Sequence, residues 1–137
     1  MRVAAIDCGT NSIRLLIADV DESTGMLTDV VRTMRVVRLG EGIDRTGEFS
    51  TGALDRTFAA CDEYAGLLAL HGAPALRFAA TSATRDARNR DAFIAGVRAR
   101  LGVEPDVIAG TEEAALSFLG AVRGLPPELL TLPVLVV

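Results

Sequence analysis

The chain has 137 residues, about one domain's worth, half of them hydrophobic, so it can bury a core of its own. Its net charge of −4 and pI near 4.9 argue against sequence-independent nucleic-acid binding over a broad surface. All 14 basic residues are arginines; without lysine there is no G-x-x-x-x-G-K phosphate loop and no Schiff-base chemistry.

A polyanion would therefore be held by arginine forks and backbone N–H groups. No apolar run approaches the ~20 residues that span a bilayer, and the N-terminus lacks the features of a signal peptide. Cys8 and Cys61 have no metal-ligand spacing. A cytoplasmic, membrane-free chain with reduced, buried thiols is the expectation.

In chain order, Val3 to Ile6 reads as a buried strand and Ile13 to Val20 as a second, joined through a short Gly/Asn/Ser tip into a β-hairpin. A helix would follow the glycine turn in a dinucleotide-binding unit, so that reading is set aside. A turn at Asp21 to Gly25 leads to a third strand over about Leu27 to Leu39, and "GEGIDRTGEFS" reads as an irregular loop. Ser50 or Thr51 caps a helix whose stripe is Leu54, Phe58, Cys61, Ala65 and Leu68, stopped by Gly72 after His71. Ala75 to Ala80 is a short strand and "ATRDARN" a polar connection. Phe93, Val97 and Leu101 mark one face of the next helix, closed by Gly102. Glu104 to Ile108 is another strand. Thr111 caps a last helix with Ala115, Phe118, Leu119 and Val122 inward, and "LPVLVV" begins a further strand. Three meandering strands followed by crossovers predict an α/β domain with a mixed five-stranded sheet and flanking helices.

Three polar constellations stand out. Asp7, Gly9, Thr10, Asn11 and Ser12 form the hairpin tip, where backbone N–H groups can make an anion nest, Gly9 permits φ > 0 and Asp7 can orient a water. An ordinary hairpin turn favours the same residues. In "TSATRDARNRD", Thr81 and Ser82 sit at a strand end, where open sheets bind ligands, and Arg85 follows in a loop; Arg88 and Arg90 read as a solvated charge run. In "AGTEEAALSF", Glu112 and Glu113 fall in a first helical turn, where spacing alone gives only favourable dipole placement. His71, the single histidine, reads as part of a helix C-terminus.

Taken together, "AAIDCGTNSIRLLIADV", "RLGEGIDRTGEFS", "ATSATRDARN" and "VIAGTEEAALSFLGAV" closely resemble the exopolyphosphatase / guanosine pentaphosphate phosphohydrolase family. That family belongs to the superfamily of actin, sugar kinases and Hsp70, with a ribonuclease H-like fold. The resemblance implies a phosphate-binding role for Asp7, Gly9, Thr10, Asn11, Ser12 and Arg85, and a catalytic role for Glu113. It implies Mg²⁺ as cofactor, with Asp7 an indirect contributor and the main carboxylate ligands elsewhere. Polyphosphate or guanosine pentaphosphate is the implied substrate. The family's next loop, of the Asp-x-Gly-Gly-Gly-Ser-Thr-Glu kind, does not occur in the 137 residues. Residues 1–125 then read as an N-terminal lobe and 126–137 as the connection and first strand toward a second lobe. That second lobe is the implied partner, with a homodimer through the lobe-facing surface as another, and the lobe alone is expected to be inactive. A kinase or ATPase lobe of the same superfamily, and a non-catalytic alarmone-binding regulator, are the alternatives.

Overall fold

The first hairpin is β1 (Arg2–Cys8) and β2 (Ser12–Val20), running antiparallel with Cys8 opposite Ile13 and Arg2 opposite Asp19. This is a computed structural model, describing residues 1–123, 125–130 and 134–136. Two compact units divide the chain, Met1–Val107 and Ile108–Val137.

In the first unit, β3 (Leu27–Val36) pairs antiparallel with β2, with a register shift between Ile17 and Ala18. The extra residue is Val30 of β3, while β2 keeps its alternation: Ile17 joins the core cluster and Ala18 is buried outside it. The turn before β3 is built on Asp21, whose Oδ1 accepts from the N–H groups of Ser23 (2.8 Å) and Thr24 (3.2 Å). After β3 come a four-residue helix α1 (Ile43–Thr46), the long α2 (Thr51–His71), β4 (Leu76–Ala80), a five-residue α3 (Ser82–Asp86), α4 (Arg90–Leu101) and β5 (Asp106–Val107). The sheet order is β3-β2-β1-β4-β5, with β4 parallel to β1 and β5 parallel to β4.

The period of two decides which sheet face is core. Ala4, Ile6 and Cys8 of β1, Ile13, Leu15 and Ile17 of β2, and Phe78 and Ala80 of β4 are buried together with Cys61 and Tyr64 of α2 and Phe93 and Val97 of α4. Each such Ile or Leu contributes about 1.5–3 kcal/mol by leaving water. The other face carries Ala5, Asp7, Arg14, Arg77 and Met34, all exposed.

The caps read for α2 and α4 are in place. The Ser50 side chain accepts from Ala53 N–H at 3.2 Å, and Gly72 and Gly102 end α2 and α4 in the left-handed region. His71 contributes its carbonyl, which accepts from Arg2 at 2.8 Å. The α2 stripe is rotated from the expected one: Ala53, Thr57, Ala60, Cys61 and Tyr64 are buried, while Leu54, Phe58 and Leu68 pack partly buried at the flanks. Small residues let the helix approach the sheet closely, and Tyr64 enters because its hydroxyl donates to Ile13 O at 2.9 Å. Close packing recurs at Gly96 of α4, where a Cβ would lie 2.2 Å from the Phe58 ring.

Two loops contain helices too short for periodicity to reveal. "GEGIDRTGEFS" holds α1, between left-handed Gly42 and Gly47. "ATRDARN" holds most of α3, so Arg85 lies in a helix's last turn and not in a loop. Arg88 is not merely solvated: it donates to Thr46 O at 2.8 Å and faces Glu48.

In the second unit, α5 (Gly110–Val122) starts one residue before Thr111; its N-cap is Ala109, with no side-chain cap bond. No residue of α5 is buried, and Phe118 and Leu119 of the expected inner face are exposed. A 3₁₀ turn covers Pro127–Leu130. Within the expected strand "LPVLVV", Val134, Leu135 and Val136 have no regular structure, and its other residues lie outside the described ones.

Candidate functional site

The parallel pairing of β1 with β4 brings two polar segments to one sheet edge. Asp7 lies opposite Ala79 and Cys8 opposite Ala80, and Thr81 N–H donates to Cys8 O at 3.1 Å. There β1 turns into the hairpin tip and β4 runs into α3. The hydroxyls of Thr10 and Ser82 meet at 3.0 Å. In open sheets, ligands bind at such C-terminal ends.

The tip is braced from one side. Asn11 O accepts from Val37 N–H (3.0 Å) and Arg38 N–H (2.9 Å), and Thr10 O accepts from Gly40 N–H (2.9 Å). A planar trans peptide sets N–H opposite C=O, so Asn11 N–H points away from the bracing loop. Among the described residues the amides of Thr10 and Asn11 have no protein acceptor. Gly9 departs from expectation twice. Its φ is not in the left-handed region, and its own N–H donates inside the turn, to Ser12 O at 3.0 Å. A Cβ there would make only ordinary contacts, with Ser12 O at 3.7 Å and Thr81 Oγ1 at 3.8 Å. Nothing in the protein's own conformation demands glycine at this place, whereas an incoming group next to the backbone would.

Asp7 lies on the exposed sheet face, 3.5 Å from the Arg14 guanidinium. The sequence reading missed Arg14. A four-residue tip, Gly9 to Ser12, sets the register Asp7 opposite Arg14, so the hairpin itself held the signal. Arg85, half-buried, has its N–H on Thr81 O at 3.3 Å. Next to it the Thr84 hydroxyl is fully buried and makes no hydrogen bond within the described structure. Glu113 is in the first turn of α5, in the second unit, half-buried, with its N–H on Ala109 O at 2.9 Å.

Both cysteines are free and buried. Desolvation pushes the Cys8 thiol far up, and Cys61 up to about 12. Neither is a nucleophile at neutral pH. Among the described residues no three His, Cys, Asp or Glu side chains group to hold a metal ion. Asp7, one carboxylate already facing an arginine, does not by itself fit a magnesium cage.

A five-stranded mixed sheet of order β3-β2-β1-β4-β5, with a braced polar tip at the β1–β4 edge, defines a ribonuclease H-like domain of the actin, sugar kinase and Hsp70 superfamily. Residues 16–134 match the Ppx/GppA phosphatase family, and the chain belongs to that family. It is 55% identical over 131 residues to exopolyphosphatase 2 of Mycobacterium tuberculosis, a match covering 90% of this chain and 41% of that protein. Exopolyphosphatase 1 of the same organism is 33% identical over 123 residues, covering 90% of this chain and 36% of that one. Among solved structures, an exopolyphosphatase-like protein superposes with a TM-score of 0.88 at 52% identity, over 93% of this chain and 38% of its own. The Aquifex aeolicus Ppx/GppA member does so with 0.82 at 30%, over 93% and 41%. The chain thus spans about two fifths of the relatives it matches.

Proposed function

We propose that this chain is the N-terminal lobe of a phosphohydrolase that removes the terminal phosphate of inorganic polyphosphate. The observation that carries the reading is family membership over residues 16–134, joined to a tip whose Thr10 and Asn11 amides have no acceptor among the described residues. Polyphosphate is placed before guanosine pentaphosphate because the relatives described above are exopolyphosphatases.

In this reading the terminal phosphate lies against Gly9, with the amides of Thr10 and Asn11 and the Arg85 guanidinium meeting its oxygens. Water attacks the phosphorus in line, and the Glu113 carboxylate orients it and takes its proton. The terminal P–O–P bond breaks, releasing orthophosphate and a polyphosphate one unit shorter. Backbone amides fixed before reaction stabilise developing charge without reorganisation. Glu113 itself lies in α5, in the second unit.

The test is phosphate release from polyphosphate and from guanosine pentaphosphate by a polypeptide extending this lobe to its relatives' full length. Glu113→Gln should lower the rate by about 10²–10⁴-fold, as loss of a general base does. Full activity in that variant overturns the assignment of Glu113. Release from neither substrate overturns the hydrolase reading in favour of a non-catalytic alarmone binder, and phosphate transfer to an acceptor other than water in favour of a kinase.

A further inference from the structure

We infer that Arg38 is a second phosphate-contacting residue, engaging a unit further along a polyphosphate chain than the one at the hairpin tip; this rests on the reading above. Arg38 has φ 50°, the one non-glycine residue with positive φ among those described. An arginine gains nothing conformationally from the left-handed region, where glycine would sit without strain. Such strain persists where surrounding bonds over-determine it.

Here they do. The Arg38 N–H donates to Asn11 O at 2.9 Å, and its carbonyl accepts from Glu41 N–H at 3.0 Å and from the Arg56 guanidinium at 3.4 Å. Arg56 also donates to Val37 O at 2.8 Å. Arg38 is thereby rooted on the hairpin tip through its backbone, and its side chain is exposed.

Its charge is unanswered. Arg2, Arg14, Arg35, Arg56, Arg77 and Arg88 each face a carboxylate. Arg38 faces none among the described residues, although Glu41 is three positions away, because Arg56 holds that carboxylate at 2.7 Å. A guanidinium that faces no described carboxylate, carried on a backbone fixed beside a braced tip, suits an anion the protein does not supply. Arg38 is rooted at the carbonyl side of the tip, whereas Asn11 N–H points the opposite way. One phosphate group is too small to serve both sides, so a chain of them is the matching ligand class.

The experiment is calorimetric titration of the chain with inorganic tripolyphosphate and with orthophosphate. The variants are Arg38→Gly, Arg38→Lys and, as control, Arg90→Ala, whose guanidinium also faces no described carboxylate but lies on α4. Arg38→Gly should weaken tripolyphosphate binding about tenfold, as loss of a charge-assisted contact does. It should change orthophosphate by no more than about twofold, since a remote exposed charge contributes little, and Tm should hold or rise as the strain is relieved. Arg38→Lys should fall between, and Arg90→Ala should match the parent. Equal loss for both anions, no loss for tripolyphosphate, or an equal effect of Arg90→Ala overturns the role of Arg38 alone. A parent chain that takes up neither anion overturns the hairpin reading, and Arg38's role with it.

Discussion

The hydroxyl oxygens of Thr10 and Ser82 lie 3.0 Å apart across 72 positions of sequence. The relationship follows from one feature, the parallel placement of β4 beside β1, which ends both strands at the same edge. A hairpin tip alone is a turn. A hairpin tip bonded to the start of α3 and braced from behind by the Val37–Gly40 backbone has a fixed shape. Preorganisation of this kind is what a phosphoryl-transfer site requires, since positioning and electrostatics supply nearly all of its catalysis.

The bracing is tight at one point, and a substitution there should report it. A Cβ on Gly40 would lie 2.3 Å from Thr10 Cγ2. The β-branched Thr10 has little freedom to turn aside. Gly40→Ala should destabilise the chain by about 1–3 kcal/mol, the usual cost of overpacking. Adding Thr10→Ser removes the offending methyl, keeps the hydroxyl for Ser82 and should restore most of the loss. Equilibrium denaturation of the two single variants and the double variant tests this; additive effects would show the contact is not the cause.

The sequence made the hairpin and the helix ends readable because each rests on local chemistry: apolar runs around a Gly/Asn/Ser tip, a serine cap at Ser50, glycines at Gly72 and Gly102. The α2 stripe was rotated because periodicity sees hydrophobicity but not size. Ala53 and Ala60 outrank Leu54 and Leu68 where helix and sheet must come close. Helices α1 and α3 have four and five residues, less than the span over which a 3.6-residue period can be counted. The tip was recognisable as residue types, but Asp7 against Arg14 and Thr10 against Ser82 needed strand register and strand order. Arg38 carried no signal, since arginine is not a residue that announces a left-handed backbone.

The core should fail first at alkaline pH. Burial raises Tyr64 and Cys61 each to about 12, and Cys8 further. In the unfolded chain thiols ionise near 8.5 and tyrosine near 10. Between those values and the folded ones the unfolded state holds fewer protons, so stability falls as pH rises. Stability from these groups is therefore complete below about pH 8.5 and lost progressively above it. Denaturation midpoints measured from pH 7 to 11 should decline above about pH 9, and Cys61→Ala should flatten part of that slope. Unchanged midpoints across the range would mean the thiols are not desolvated as described.

The 137-residue chain alone should release no appreciable phosphate from polyphosphate, even with Mg²⁺ supplied. Its described residues provide a tip, an arginine and a candidate base, but no carboxylate group of three for a metal. Removing charge stabilisers from a site that works by electrostatics costs on the order of 10²–10³ in rate for one donor alone. A malachite-green assay of this chain, beside the extended polypeptide and its Glu113→Gln variant, measures the difference. Turnover by the short chain equal to that of the extended one would show that this lobe carries the whole catalytic apparatus.

Gly9 gives the sharpest separation of binding from folding. A Cβ at this position would meet Ser12 O at 3.7 Å and Thr81 Oγ1 at 3.8 Å, ordinary contact distances, and φ is not left-handed. Gly9→Ala should therefore leave stability within about 1 kcal/mol of the parent, with a small gain from a stiffer unfolded chain. Its effect on anion binding should be large, because a methyl would stand where the proposed phosphate would meet the backbone. Titration with tripolyphosphate should show at least about a tenfold loss, comparable to removing a charge-assisted contact. Melting curves of the same samples report the fold. A variant that unfolds early would give Gly9 a structural role, and one that binds as the parent does would move the phosphate away from the hairpin tip.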